Sequence, residues 1–290
     1  MSQPQDRILR GDIEVIRLVD GTFRVDGGAM FGVVPRTLWA KRAAPDRENR
    51  ITLALNCFLV RTPRATLLLD TGVGPDLDRR HADFYSLERG PGLFGLLPGL
   101  GLGPGDIDHV VNSHLHFDHC GGNTLRTAEG RWAPAFPRAR YVVQRGEWEQ
   151  ALRPVERDKP SYIPARLKAL AEGDRLSLLD GDGPVAPGVE AVLVPGHTAF
   201  HQGVKVSSGG KTFFYLADAV PTAAHIDLPY IMSFDLYPVE TYNNKKTTLE
   251  RAADEGWILG FGHDVSHPFG SLRRSGRRLE FVAAGGAEND

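Results

Sequence analysis

Apolar residues fall along this chain in short alternating runs, and the runs come in two sets. In the first, Ile13, Val15, Ile16 and Leu18, then Phe23 and Val25, alternate loosely with polar residues. The pattern breaks at Asp20-Gly21, which predicts a hairpin there. Residues 51–61 and 65–70 repeat it as a second strand pair joined at Thr62-Pro63-Arg64. The later run of that pair, Leu67-Leu68-Leu69, ends in Asp70-Thr71-Gly72. Residues 107–111 and Tyr141-Val142-Val143-Gln144 read as two more strands. The second set comprises residues 175–179, 189–194, 202–206, 212–217 and 257–261, with 278–282 expected to add one more.

Helical spacing is confined to three places. Residues 146–152 put Trp148, Ala151 and Leu152 on one face, and Pro164 opens a helix with Leu167, Leu170 and Ala171 inward. Pro238 opens the clearest one, where Tyr242, Lys246, Leu249 and Ala253 recur before Gly256 stops it. Two glycine-rich stretches resist both periods. Residues 26–35 are too rich in glycine for a helix, and Met30 and Phe31 there are either core or pocket wall. Residues 73–106 are expected to form a flexible flap carrying Leu93, Phe94, Leu96 and Leu97. Gly90, Gly92 and Gly95 fit a dinucleotide-loop spacing by accident, since Pro91 interrupts it and no strand precedes it.

The order strands, helices, strands, helix predicts an α+β fold, with two sheets face to face and helices outside. No break in composition appears near the middle. Residues 1–290 are therefore expected to form a single domain built from two similar halves.

Composition adds mainly exclusions. With 34 Lys and Arg against 36 Asp and Glu, the net charge of −2 offers no general attraction to nucleic acid or anionic membrane. At 290 residues, two cysteines (Cys57 and Cys120) make no disulfide framework. The first ten residues lack the apolar core of a leader, and residues 90–105 are too broken by glycine and proline to span a bilayer. A cytoplasmic protein acting on a small molecule, without nucleic-acid or membrane partners, is the expectation, and an oligomer is left open.

The chemistry gathers at His114-Leu115-His116-Phe117-Asp118-His119, between an apolar strand and the turn Cys120-Gly121-Gly122-Asn123. Imidazole suits zinc, iron and other transition metals, and a carboxylate widens the choice. Three further ligand-type residues stand just beyond apolar strands: His197 after Val192-Leu193-Val194, Asp218 after Phe213 to Ala217, and His263 after Trp257 to Gly262. Asp70 ends another strand. It either caps the following turn or accepts a proton from a metal-bound histidine. His201, four residues past His197, has either an accessory or a structural role.

Asp70-Thr71-Gly72, His114-x-His116-x-Asp118-His119, Pro195-Gly196-His197-Thr198, Leu216-Ala217-Asp218 and Gly262-His263 stand in one order over residues 50–265. In that set the chain resembles the metallo-β-lactamase-fold hydrolases of the binuclear branch. The resemblance implies a four-layer αββα sandwich with the site at one edge of the sheets. It implies that His114, His116 and His197 hold one metal, that Asp118, His119 and His263 hold the other, and that Asp218 bridges them. Two divalent ions follow, zinc first, with manganese, iron or cobalt accepted by the same ligands. A hydroxide shared by two ions would attack a carbonyl carbon, with Asp118 orienting it and shuttling its proton.

Within that fold the run from His114 to Asn123 looks most like lactonases that open acyl-homoserine lactones, and like related esterases. Those enzymes carry a tyrosine three residues after the bridging aspartate, where this chain has Pro221. Tyr230 or His225 is the expected substitute, and Phe31 and Tyr230 are the expected substrate contacts. Hydrolysis of a lactone or carboxylic ester is thus the leading expectation. A thioester or organophosphate triester hydrolase on the same site is the alternative, together with a mononuclear iron sulfur dioxygenase.

Overall fold

The computed structural model describes residues 7–276 and 278–284. The ends of the expected domain, residues 1–6 and 285–290, lie outside the described residues, including most of the stretch read as lacking a leader. One seven-stranded sheet contains β1 (Arg7–Arg10), β2 (Ile13–Asp26), β3 (Arg50–Arg61), β4 (Thr66–Leu69) and β5 (His109–Val111). A small hairpin of β6 (Thr124–Arg126) and β7 (Trp132–Pro134) intervenes before β8 (Arg140–Gln144) and β9 (Leu176–Leu179) complete it. The other seven-stranded sheet runs in chain order through β10 (Gly183–Ala186), β11 (Val189–Leu193), β12 (Gln202–Ser208), β13 (Lys211–Tyr215), β14 (Ile258–Gly260), β15 (Phe269–Ser275) and β16 (Arg278–Ala283). The helices are α1 (Gly27–Phe31), α2 (Arg36–Trp39), α3 (Arg79–Phe84), α4 (Gly92–Leu96), α5 (Phe117–Cys120), α6 (Arg145–Leu152), α7 (Pro164–Ala171) and α8 (Pro238–Asp254).

Strand alternation sorts the side chains into layers. On β3, Phe58 and Val60 point into the interface between the sheets, where they meet Val204, Phe213, Tyr215 and Phe269. Cys57 and Leu59 point the other way, onto a cluster with Leu93, Trp148 and Leu167 from α4, α6 and α7. On the far side, Phe214 and Leu259 pack against Leu249 and Ala252 of α8. The fold is therefore the expected αββα sandwich. Among the described residues no helix is long and apolar enough to cross a membrane.

Several local expectations are corrected. Asp20-Gly21 is not a hairpin: β2 runs straight through it, and a register shift between Val19 and Thr22 absorbs the irregularity. Asp20 is buried there, accepting from the backbone N–H groups of Gly74 and Leu93. Gly21 lets the segment after α3 approach, since a Cβ would lie 2.8 Å from the Glu88 carbonyl. Residues 27–31 are helical because the Asp26 carboxylate caps Ala29 and because Gly27 lies against the Trp39 ring, where a side chain would collide. The expected flap is anchored in the core by Leu93 and Leu97, which are fully buried, while most of residues 73–106 stay exposed or half-buried. The buried stripe of α8 is Thr241, Lys245, Leu249 and Ala252; Leu249 is as expected, and each of the other three lies one residue before its expected position. Leu152 and Ala171 likewise face outward, and β1, β10 and β15 were not anticipated.

Phe58 has no exposed surface and sits 5.2–5.6 Å, ring to ring, from Phe213, Tyr215 and Phe269. Phe58→Ala is expected to cost about 3–5 kcal/mol. Urea unfolding would show this as a lower midpoint at unchanged slope.

Candidate metal centre

Every candidate ligand stands where a strand has just ended, all at one edge of the sandwich. Asp70 follows β4, residues 113–119 follow β5, His197 follows β11, Asp218 follows β13 and His263 follows β14. Backbone bonds lace these loops together across the two sheets. Gln202 N–H donates to Ser113 C=O at 2.9 Å, Ala54 N–H to His263 C=O at 3.0 Å, and Thr71 N–H to His119 C=O at 2.8 Å. Asp70 (φ 55°) and Ala217 (φ 43°) are held in the left-handed region, so the turns beside the site carry backbone strain.

The loops bring all seven side chains together. Ligand-type atoms of His114, His116 and His197 lie within 4.8 Å of one another, as do those of Asp118, His119 and His263, and those of His114, His119 and Asp218. Asp218 faces both sides. Its Oδ2 is 3.3 Å from His197 Nε2, and its Oδ1 is 3.4 Å from His119 Nε2 and 3.1 Å from His263 Nε2. Asp118 Oδ2 is 3.7 Å from Nε2 of both His119 and His263.

The outward nitrogens decide what the inward ones present. His119 Nδ1 donates to Asp70 Oδ2, His197 Nδ1 to Asp235 Oδ1 and His263 Nδ1 to the Ala54 carbonyl, at 2.8–2.9 Å. His116 Nε2 faces Asp158 Oδ1 at 3.1 Å. Ser113 Oγ donates to Asp70, which leaves it to accept from His114 Nδ1 at 3.0 Å. Each neutral imidazole therefore turns a lone pair inward. Two such nitrogens, His119 Nε2 and His263 Nε2, are 3.1 Å apart, and His197 Nε2 and His116 Nδ1 are 3.2 Å apart. His114 Nε2 and Asp218 Oδ1 are buried without a hydrogen-bond partner. Opposed lone pairs and orphaned acceptors call for cations, so this donor set fits a pair of metal ions.

The local field agrees. Burial alone would raise the Asp218 carboxyl, but the imidazoles of His119, His263 and His197 hold it well below the usual carboxylate range. Burial works against charge on His197 as well. Asp218 and Asp235 nonetheless lift it to about 9, and Asp218 and Asp118 lift His119. The site demands positive charge, and protons compete with a metal for it. His114 goes the other way, pushed well down by burial and by His119, His116 and His197. His201 is pushed to about 3 by burial and by His197. It is neutral: Nδ1 donates to the Val194 carbonyl, and Nε2 accepts the Asp218 N–H at 3.2 Å. His201 thus sets the backbone of Asp218.

Asp70 is more than a turn cap. It accepts from Ser113 N–H, Ser113 Oγ, His119 Nδ1 and, across the sandwich, Tyr215 Oη at 2.7 Å. Asp158, Asp235, Ser113 and Tyr215 were missed in the sequence. Asp158 looks like a surface charge among Glu156, Arg157 and Lys159, yet it is 5% exposed.

A cavity of about 240 Å³ opens onto the cluster. His116, Asp118, His197, Asp218 and His263 form its floor, and Phe23, Val25, Met30, Leu53, Met232 and Leu236 supply apolar wall. Met30, not Phe31, forms that wall. Phe31 is fully buried behind it, stacked on Trp39 and on His225 at 4.5 Å. Tyr230 packs edge-on against Phe31 and faces a separate groove with Lys246 and Arg274. His225 is also committed, since Nε2 donates to the Met30 carbonyl and Nδ1 accepts from Thr222. Pro221 offers only its carbonyl, which takes the His263 N–H at 2.9 Å.

Comparison with known proteins agrees with this geometry. A sequence model of the metallo-beta-lactamase superfamily matches residues 51–263. An N-acyl homoserine lactonase of Bacillus thuringiensis is 27% identical over 229 residues, covering 74% of this chain and 83% of that protein. The crystal structure of a probable metal-dependent hydrolase from Staphylococcus aureus superposes with a TM-score of 0.88 at 27% identity, covering 97% of this chain and 100% of the other. AidC, a dizinc quorum-quenching lactonase, superposes at 0.79 with 22% identity and 97% coverage of both chains.

His225 is buried neutral, its pKa pushed to about 3 chiefly by burial. In the unfolded chain it takes its proton near pH 6.5. The unfolded state then holds one more proton between about pH 6.5 and 3, so this residue's contribution to stability falls as pH drops through that window, by up to about 1.4 kcal/mol per unit. His225→Asn is expected to flatten the acid limb of the stability profile, as measured by urea unfolding at successive pH values.

Proposed function

The chain belongs to the metallo-β-lactamase superfamily, and on that footing we propose that it is a two-metal hydrolase of lactones and carboxylic esters. The observation that carries the reading is the convergence of five inward imidazole lone pairs with Asp118 and Asp218, each imidazole backed by an outer partner. His114, His116 and His197 would hold one ion and Asp118, His119 and His263 the other, with Asp218 presenting one carboxylate oxygen toward each side. Imidazole with carboxylate suits zinc first, and manganese, iron or cobalt as well. When bound, the ions supply Lewis acidity and a water acidic enough to attack at neutral pH.

The residues of the chain do the rest. Asp118, half-buried on the cavity floor, accepts the proton of the attacking water and delivers it to the departing oxygen. Asp70, Asp158 and Asp235 fix the rings of His119, His116 and His197. The apolar wall receives the uncharged portion of a small substrate and keeps bulk water out. N-acyl homoserine lactones, on which the Bacillus relative is named to act, combine such an apolar chain with a lactone. The candidate ligands come from both halves of the sandwich, which supports reading the chain as one hydrolase domain.

Zinc-loaded protein is expected to bind two ions per chain and to release acid from acyl homoserine lactones and simple esters in a pH-stat. Chelation should abolish this activity and zinc restore it. One iron per chain without zinc, or thioester turnover without lactone turnover, would overturn the reading. Asp118→Asn should lower kcat by about 100-fold or more.

Asp158→Asn removes the charge facing His116. It is expected to weaken one of the two ions by about 10- to 100-fold, read by titration against a chelating dye, while leaving the other in place.

A further inference from the structure

One polar side chain in the cavity wall has no task in the account above. Tyr85 lines the same cavity as Asp118. Its segment is no loose flap. Arg24 N–H donates to the Tyr85 carbonyl at 2.7 Å, and Thr22 and Glu88 exchange both backbone bonds, so the turn that carries Tyr85 is pinned to β2 by an isolated bridge. The ring is wedged edge-on to Phe23 and Phe84 and tilted on Phe117 at 5.3 Å, the residue before Asp118. Its hydroxyl makes no hydrogen bond with any described residue. The residue is half-buried, and the hydroxyl is left for whatever occupies the cavity. At neutral pH a tyrosine is a phenol, so this hydroxyl has a proton to offer.

No other phenol lines the cavity among the described residues. Tyr230 faces another groove, both ring nitrogens of His225 are engaged, and Pro221 has no donor.

We propose that Tyr85 is a catalytic residue whose hydroxyl hydrogen-bonds the alkoxide oxygen that leaves as the acyl C–O bond breaks. Water oxygen bonds to the acyl carbon, the electrons of the broken bond stay on the leaving oxygen, and the water proton reaches that oxygen through Asp118. Tyr85 keeps its own proton and only steadies the charge. The assignment rests on the hydrolase reading and concerns substrates whose leaving group is a poor one, an aliphatic alkoxide such as a lactone ring oxygen.

The test compares the zinc-loaded wild type with Tyr85→Phe on an aliphatic lactone and on a 4-nitrophenyl ester of similar acyl length, whose leaving group needs no help. Loss of the hydroxyl should lower kcat about 100-fold on the lactone, with KM shifted less than about three-fold, and cost under about three-fold on the 4-nitrophenyl ester. Equal losses on both substrates, or none on either, would overturn the role of Tyr85 while leaving the hydrolase reading intact. A wild type inactive on both would remove that reading, and this role with it. Should Tyr85→Phe not fold, difluorotyrosine at position 85 keeps the ring and makes the phenol more acidic. The lactone-to-aryl-ester ratio of kcat must then shift, and a constant ratio would sink the proposal.

Discussion

A buried knot of mutually facing lone pairs governs this structure. Imidazoles pinned from behind cannot turn away from one another, and two of their inward nitrogens stand 3.1 Å apart. Protein atoms alone can relieve that arrangement only by taking up protons, which is what the raised His119 and His197 record. The cost of holding such groups in a dry interior has to be met by charge of the opposite kind. Everything around the knot is arranged to keep it from relaxing: strained turns at Asp70 and Ala217, backbone laces between the sheets, and a neutral His201 that clamps the Asp218 amide.

The sandwich explains why such a knot can be built. A strand end is a rigid place from which to project a side chain, and here five strands stop at one edge. The core between the sheets, centred on Phe58 and Phe213, fixes the spacing of the two rows. The cavity wall is added at the same edge by α1, by the far end of β2 and by residues 232–236, which bring Met30, Phe23, Val25, Met232 and Leu236 to the lining from one apolar cluster and its rim.

How much of this was readable in the sequence depends on the range of the signal. The candidate ligands were readable because each follows an apolar run of strand length and is itself chemically conspicuous. Most strands of the two sheets are readable for the same reason, as is their packing, but β1, β10 and β15 carry no such run. What failed was local chemistry decided by distant partners. Asp20-Gly21 looks like a turn until Gly74, Leu93 and Glu88 arrive to occupy it. Asp158 reads as one charge in a charged run, and only the fold turns it inward toward His116. Met30 and Phe31 share one glycine-rich loop, and only the fold decides that Met30 lines the cavity while Phe31 lies behind it; Tyr230, the expected stand-in for the tyrosine absent at Pro221, faces another groove, and Tyr85 lines the wall. Three positions of the α8 stripe lie one residue before their expected places because Lys245 spends its length inside, bonding the carbonyls of Asp227 and Tyr230.

The bond from Tyr215 to Asp70 spans the sandwich, joining a strand of one sheet to the carboxylate that steadies His119 on the other. His114, His116, Asp118 and His119 come from the first half of the chain, and His197, Asp218 and His263 from the second. Neither half carries a full set of donors for both ions. Under the proposed assignment the two-ion site exists only in the closed sandwich. A chain that stopped short of Asp218 would lack two of the seven candidate ligands, Asp218 and His263, so under that assignment the site closes only once both halves are in place.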